Sequence, residues 1–262
     1  MFKTRLISGI VLVAIALFTI ISGGTVLFGT LMAISLIGMD EIFRAMDVGR
    51  EFTLLRLTSY LTIVVYYILM FFNLNEYLLP VLLVGLIINM FVYVFTYPKH
   101  NASQIMAAFF GIVYVGVMLS FIYQTRMLVD GAFHVWLIFL CAWGCDTCAY
   151  CVGMTLGKHK MAPVLSPKKS IEGAVGGVVG TGLLGAVYAL IIDKPIFEYV
   201  IICVIGALIA MVGDLAASAI KRNQGIKDFG TLIPGHGGIM DRFDSVIFVA
   251  PIIFVLSKIL LK

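Results

Sequence analysis

The chain has 262 residues, of which 61% are hydrophobic and only 12% are charged. A soluble globular domain carries roughly 25% charged residues, so this composition excludes that class. The net charge of +4 is too small an excess to indicate nucleic-acid binding, and no basic tail accompanies it.

Apolar stretches long enough to cross a bilayer recur along almost the whole chain, which predicts an all-α polytopic membrane protein. The first two stretches are separated only by Ser22-Gly23-Gly24 and form either a tight helical hairpin or one re-entrant unit. We predict about nine transmembrane helices, at about 5–22, 24–39, 57–72, 77–97, 103–123, 132–154, 171–192, 197–220 and 243–261.

The distribution of basic residues predicts the orientation of the chain. With nine spans, 14 of the 18 Lys and Arg residues fall on the side of the N-terminus. Positive charge collects on the cytoplasmic side of membrane proteins, so we predict a cytoplasmic N-terminus and a C-terminus outside.

The seventh span is rich in glycine. Gly173 and Gly177, like Gly176 and Gly180, have the small-xxx-small spacing that lets helix backbones approach closely. We expect this stripe to pack inside the chain, although a homodimer is also compatible with it.

Two acids stand out within the predicted spans, Asp146 and Asp214, because neither has a basic residue close by in its own span. A charged side chain inside a membrane is costly, so it needs a partner or a wet cavity and is by default a functional candidate. Ser218 and Lys221 follow Asp214 at i+4 and i+7, which places a hydroxyl and an ammonium group on the same helical face. This stripe suits a metal-bound phosphate, although a structural carboxylate is an alternative.

The segment 221–244 crowds four basic residues, glycines and acids between the last two spans. The glycines around His236 allow backbone N–H groups to approach an anion. Asp241 and Asp244 are three residues apart and would share a face at the start of the last helix, where anions are favoured. Asp241 is alternatively a helix cap.

The segment 157–173 is cationic and precedes the seventh span. Ser166, Ser170 and Glu172 lie just before or within the first turn of that helix. An ordinary positive-inside loop with capping residues would explain much of this pattern.

The second half of the chain resembles the phosphatidate cytidylyltransferase (CDP-diacylglycerol synthase) family. The signature comprises Ser218-Ala219-Ile220-Lys221-Arg222, Lys227-Asp228 and Pro234-Gly235-His236-Gly237-Gly238-Ile239-Met240-Asp241-Arg242-Phe243-Asp244. This long and gapped signature is specific, and the similarity extends through Asp146, Ala149-Tyr150, Gly153 and residues 166–173.

The resemblance implies that CTP and phosphatidic acid condense to CDP-diacylglycerol and pyrophosphate at a cytoplasmic-facing site. It implies Mg²⁺ held by Asp214 and Asp241, with Asp146 or Asp244 contributing directly or through water, and it is compatible with a second metal ion such as K⁺. Ser218, Lys221 and Arg222 would orient phosphate oxygens, and His236, Gly237, Gly238 and Arg242 would cover the triphosphate. Lys168, Lys169 and Ser170 would receive the phosphatidate head group, and Lys227, Glu172 and Tyr150 complete the predicted substrate-binding set.

The sequence therefore predicts a single transmembrane domain over 1–262, with helices of unassigned role in 1–123 and the catalytic helices and loops in 132–262. The compact chain favours a bacterial cytoplasmic (inner) membrane, with membrane lipids as its surroundings and no nucleic-acid partner. Two alternatives stay open: a CTP-dependent polyprenol or dolichol-type lipid kinase, which would release CDP, and an ion-coupled transporter using Asp146 and Asp214.

Overall fold

A computed structural model describes residues 2–48 and 53–261, with side chains from residue 8 onward. In this part of the chain nine helices account for nearly all of the regular structure. They are α1 (Phe2–Ser22), α2 (Gly24–Ala45), α3 (Leu54–Phe71), α4 (Leu78–Phe95), α5 (Ala102–Arg126), α6 (Gly131–Leu156), α7 (Ile171–Ile191), α8 (Ile196–Asn223) and α9 (Met240–Leu260).

Eight of these helices, α2 to α9, are long and apolar enough to cross a membrane, as counted over the described residues. Large apolar side chains are exposed on their outer surfaces, for example Phe95, Ile191 and Phe197. Such surfaces suit lipid and not water. The predicted all-α polytopic class is confirmed, whereas the orientation of the termini stays a prediction.

The first two helices are separate. Gly23 has φ 61° and ψ −153°, a conformation that essentially only glycine adopts, and it ends the helical hydrogen-bonding pattern after Ser22. Within α1, the part described with side chains, Ser8–Ser22, is a shorter apolar helix than the other eight. The predicted break at Ser22-Gly23-Gly24 is confirmed.

The cationic segment before α7 is not an open loop but a small antiparallel hairpin. Strand β1 (Lys160–Ala162) pairs with β2 (Ser166–Ser170), with Lys160 opposite Ser170 and Ala162 opposite Ser166. Its residues lack the alternating apolar pattern that predicts a strand, so sequence reasoning missed it. The hairpin leads directly into α7, because the amide of Ile171 donates to the carbonyl of His159 at 2.9 Å.

The chain divides into two compact units, which are described separately below. The first comprises Met1–Ser120 with Ile226–Asp241, and the second comprises Phe121–Gly225 with Arg242–Lys262. The prediction of a single domain, with its proposed functional halves, stays a prediction.

Polar side chains join helices inside the first unit. The buried amide of Asn89 on α4 donates to Ser59 Oγ on α3 at 3.2 Å and accepts from Thr58 Oγ1 at 2.6 Å. Ser35 Oγ on α2 and the hydroxyl of Tyr67 on α3 lie 2.7 Å apart. In a lipid environment such hydrogen bonds fix which helices are neighbours.

The glycine stripe of α7 packs against α6 inside the second unit. A Cβ at Gly176 would overlap the side chain of Val152, and a Cβ at Gly180 would overlap Cys148. At Gly173 it would lie 2.8 Å from the carbonyl oxygen of Ala149. The predicted packing role of the stripe is confirmed, because the two helices approach at distances that only glycine allows.

We therefore expect Gly173→Ala to lower the free energy of unfolding in detergent by about 1–3 kcal/mol, because the methyl group meets backbone atoms that must shift. Gly29→Ala on α2 is the matched control, since nothing lies within 4 Å of its added Cβ. Thermal unfolding of both variants checks this prediction. Equal midpoints would contradict the close α6–α7 contact.

Candidate active site

A cavity of about 400 Å³ lies within the second unit, between α6, the β-hairpin, α7 and α8. Its wall combines charged groups with exposed apolar side chains. The lining residues are Asp146, Ala149, Tyr150, Gly153, Met154, Met161, Lys168, Lys169, Ser170, Gly173, Ala174 and Met211. Five of the predicted site residues therefore face one cavity: Asp146, Tyr150, Lys168, Lys169 and Ser170.

Three carboxylates from three helices lie within electrostatic reach of one another in this unit. Asp214 on α8 repels both Asp146 on α6 and Asp244 on α9. Asp146 is attracted by Arg242 and Lys169, and Asp244 is attracted by Lys221. Acids and bases that are far apart in sequence thus form one charge cluster.

The closest contact in the cluster is the ion pair between Lys169 Nζ on β2 and Asp214 Oδ2. Sequence reasoning found no counter-ion near Asp214, because Lys169 lies 45 residues away and reaches it through the hairpin. Ser218 Oγ lies 3.5 Å from Asp214 Oδ1, as the i+4 spacing predicts. Asp214 is therefore held from two sides.

The start of α7 anchors the hairpin. Ser170 caps the helix by accepting the amide of Gly173 at 3.1 Å. Glu172 accepts the amides of Lys158 and His159 at 3.0 and 3.2 Å, and its Oε1 lies 2.5 Å from His159 Nδ1. The described contacts of Glu172 are thus structural, and its predicted contact with substrate stays a prediction.

Three more of the predicted basic residues of the second unit lie at helix ends. Lys221 and Arg222 occupy the last turn of α8, and Arg242 is exposed in the first turn of α9. Cations at a helix C-terminus are favoured by the helix dipole. Lys221 and Arg242 belong to the charge cluster described above.

The first unit contains the segment 226–239, which we call the glycine loop. It holds Lys227, which is exposed, and the predicted residues His236, Gly237 and Gly238. Gly235 and Gly237 have φ of 78° and 86°, values that favour glycine. The amide of Ile233 donates to the carbonyl of Gly237 at 2.8 Å, which closes a tight turn around His236.

Asp241 fastens the glycine loop to the start of α9. Its Oδ2 accepts the amides of Phe229 and Gly238 at 2.8 and 3.0 Å, and the residue is only 7% exposed. Asp241 therefore organises the loop before it, which differs from a simple helix cap. The prediction that Asp214 and Asp241 share a metal ion stays a prediction.

The ring of His236 contacts the first helix. Ser8 Oγ lies 2.8 Å from His236 Nδ1 and donates to the carbonyl of Pro234 at 3.1 Å. These contacts fix the tip of the glycine loop from a second direction.

Sequence reasoning missed Glu41 of α2. This residue is 3% exposed, and its two carboxylate oxygens accept the amides of Ile239 and Met240 at 3.0 and 2.8 Å. An acid that directly follows a long apolar stretch could have indicated a functional residue. The predicted span ended at residue 39, however, and left Glu41 in a loop.

A hard divalent cation fits the chemistry of the charge cluster formed by Asp146, Asp214 and Asp244, because carboxylate oxygens are its preferred protein ligands. In the described residues, no three or more His, Cys, Asp or Glu side chains form a ready metal cluster. Mg²⁺ is typically bound through one or two carboxylates together with substrate phosphates. The acids therefore suit an ion that arrives with a nucleotide.

Comparison with known proteins decides the family. The model of the cytidylyltransferase family matches residues 3–260 of the chain. The chain belongs to the cytidylyltransferase family. The match includes the helices of the first half, which sequence reasoning related to the family only through their hydropathy.

Similar proteins named phosphatidate cytidylyltransferase occur in staphylococci. The Staphylococcus epidermidis protein is 33% identical over 260 residues, covering 97% of this chain and 98% of the relative. The Staphylococcus haemolyticus protein is 32% identical over the same shares. The Staphylococcus saprophyticus protein is 41% identical over 162 residues, which is 60% of this chain and 62% of the relative.

The ion pair at the centre of the charge cluster generates a stability prediction. Lys169→Met would leave Asp214 beside two like charges, whereas adding Asp214→Asn would relieve that repulsion. Because both side chains remain about a quarter exposed, 26% and 24%, we expect a coupling free energy of about 1–2 kcal/mol in a double-mutant cycle. Thermal unfolding in detergent gives the four values.

The matched control is the pair Lys194–Asp130, whose Nζ and Oδ2 lie 2.5 Å apart at the protein surface. The hydrogen bond from Lys194 lowers the pKa of Asp130 below its usual value. Water and salt screen this exposed pair, so its coupling is expected to be the smaller of the two. A larger coupling for the control would contradict the central place of Asp214.

Proposed function

We propose that the chain transfers the cytidylyl group of CTP to phosphatidic acid, which yields CDP-diacylglycerol and pyrophosphate. The observation that carries this proposal is a cavity lined by Lys168, Lys169 and Asp146, in which Lys169 also forms an ion pair with Asp214. Membership of the cytidylyltransferase family and full-length similarity to phosphatidate cytidylyltransferases support the choice of substrates.

In the proposed reaction, a phosphate oxygen of phosphatidic acid attacks the α-phosphorus of CTP. The bond from that phosphorus to the oxygen bridging the β-phosphate breaks, and pyrophosphate leaves with the electron pair. A phosphate monoester has its second pKa near 6, so the attacking oxygen is already ionised at neutral pH. No general base is needed, and the main barrier is the meeting of two anions.

The cavity suits the lipid substrate in two ways. Lys168 and Lys169 offer ammonium groups to the phosphate, and Ser170 lines the same wall. Tyr150 and Met154 are 66% and 68% exposed, so apolar surface lies next to the charged groups. A lipid with an anionic head and acyl chains requires this combination, and the chains would remain in the surrounding bilayer.

Lys169 has a distinct part in this proposal. Its ammonium group is bound to Asp214 and also lines the cavity. A flexible lysine can exchange one anionic acceptor for another, so Lys169 would pass from Asp214 to a phosphate oxygen when the lipid enters. The movement would leave the Asp214 carboxylate available for another cation.

Asp214, with Asp146 or Asp244, would hold Mg²⁺ in this proposal, and Asp241 stays a predicted ligand. When bound, the ion supplies positive charge that neutralises phosphate oxygens. Ser218, Lys221 and Arg222 would orient phosphate oxygens, while Arg242 and the glycine loop would cover the triphosphate. We include in the same proposal a second metal ion, such as K⁺, and assembly of the chain into a homodimer.

The proposed setting is a bacterial cytoplasmic membrane with the site facing the cytoplasm. The excess of Lys and Arg on the N-terminal side of the predicted spans supports this orientation. Purified protein incubated with CTP, phosphatidic acid and Mg²⁺ tests the function. Pyrophosphate and a CDP-lipid are the expected products. Release of CDP would instead indicate a lipid kinase, and absence of turnover would contradict both enzyme functions.

We expect Asp214→Asn to lower turnover by at least roughly 100-fold, because it removes a charge that the transition state requires. Asp193→Asn is the matched control, since Asp193 is exposed in the turn between α7 and α8 and asparagine tolerates its φ of 53°. The rate of pyrophosphate release measures both. Near-normal activity of Asp214→Asn in folded protein would refute the metal assignment.

Lys168→Gln should raise the KM for phosphatidic acid roughly tenfold, because a charge-assisted contact is lost. The KM for CTP should stay near that of the unaltered protein. Lys160→Gln is the control, since Lys160 is exposed on β1 of the same hairpin but does not line the cavity. A selective rise in the KM for CTP would instead place Lys168 at the nucleotide.

A further inference from the structure

We infer that Glu41 is a positioning residue that sets the shape of the glycine loop for the nucleotide. It lies on α2, in the half of the chain to which the sequence assigned no role, and reaches residues almost 200 positions away. This inference rests on the proposed function, because it takes the glycine loop as part of the CTP site.

The geometry of Glu41 is specific. Oε1 accepts the amide of Ile239 at 3.0 Å, and Oε2 accepts the amide of Met240 at 2.8 Å. Ile239 is the last residue of the glycine loop and Met240 is the first residue of α9. One carboxylate therefore fixes the junction at which the loop becomes a helix.

Two glycines of the loop pack directly on this carboxylate. An added Cβ at Gly230 or at Gly238 would overlap the carboxylate oxygens of Glu41. The chain approaches Glu41 from both ends of the loop, so the same acid determines where the two ends run. Glycine at these two positions therefore leaves room for the carboxylate of Glu41, a role separate from any contact with a phosphate.

The charge of Glu41 matters as well as its shape. The first amides of a helix have no partner within the helix, and a carboxylate there is favoured by the helix dipole. Asp241 lies in the first turn of α9 and repels Glu41, while Arg44 attracts it. Glu41 and Asp241 thus bind different amides of one segment, Asp241 taking those of Phe229 and Gly238.

A residue that only stabilises the fold would affect all substrates and all segments alike. A residue that positions the glycine loop would affect CTP selectively and would loosen the loop more than the rest of the protein. The two roles are therefore separable by kinetics and by hydrogen exchange.

The experiment compares Glu41→Gln with Asp40→Asn in the full-length protein in detergent. Asp40 is adjacent on α2 but pairs with Arg44, Arg56 and Tyr60, none of which belongs to the glycine loop. Glutamine keeps the size of glutamate but presents one N–H₂ group where an acceptor is needed. We expect Glu41→Gln to raise the KM for CTP roughly tenfold or more, with the KM for phosphatidic acid changed by less than about twofold.

Hydrogen exchange supplies the second measurement. In Glu41→Gln the amides of Ile239 and Met240 should exchange roughly tenfold faster, while those in the middle of α7 should not. Asp40→Asn should unfold at a lower temperature yet keep the KM for CTP and the loop protection of the unaltered protein. If Glu41→Gln does not fold, Gly230→Ala tests the same contact, because its methyl group displaces the carboxylate.

Unaltered CTP kinetics in folded Glu41→Gln or Gly230→Ala would overturn the inference. Equal increases in the KM for both substrates would also overturn it, since they indicate a general structural role. Failure of the unaltered protein to form a CDP-lipid would reject the proposed function instead, so the two failures are distinguishable.

Discussion

A carboxylate that is withdrawn from water in an apolar helical protein has to be matched by hydrogen-bond donors or by positive charge, and this requirement organises the structure. Asp214 is matched by Lys169, which the β-hairpin delivers. Asp241 and Glu41 are matched by backbone amides that belong to the glycine loop and the start of α9. The polar segments of the chain are thus shaped around acids that the helices carry.

Glycine makes these arrangements geometrically possible in both units. In the second unit, α6 and α7 approach until Gly173 lies against the backbone of Ala149, and the hairpin and cavity lie at the end of that contact. In the first unit, Gly230 and Gly238 allow the chain to close on Glu41. The same residue type serves helix packing in one place and a carboxylate contact in the other.

The charge cluster of the second unit suits chemistry between anions. Its three acids are matched by three bases, and in the proposed function Lys169 changes acceptors inside the cavity. Nucleotidyl transfer to a lipid phosphate needs charge neutralisation and alignment more than proton transfer. Membership of the cytidylyltransferase family agrees with this requirement. A relative that is similar over nearly its full length is named phosphatidate cytidylyltransferase.

The sequence by itself determined the helices, because transmembrane length and hydropathy are local properties that need no knowledge of neighbours. It also singled out Asp146, Asp214 and the segment around His236 as candidates for the site, since rare charges and a gapped signature are visible in the sequence alone. Only the tertiary structure decided the partners: Lys169 for Asp214, the hairpin that brings it there, and Glu41 for the start of α9. These contacts join residues 45 and 199 positions apart, and no local pattern encodes such a pairing, because it depends on how the helices and the hairpin pack.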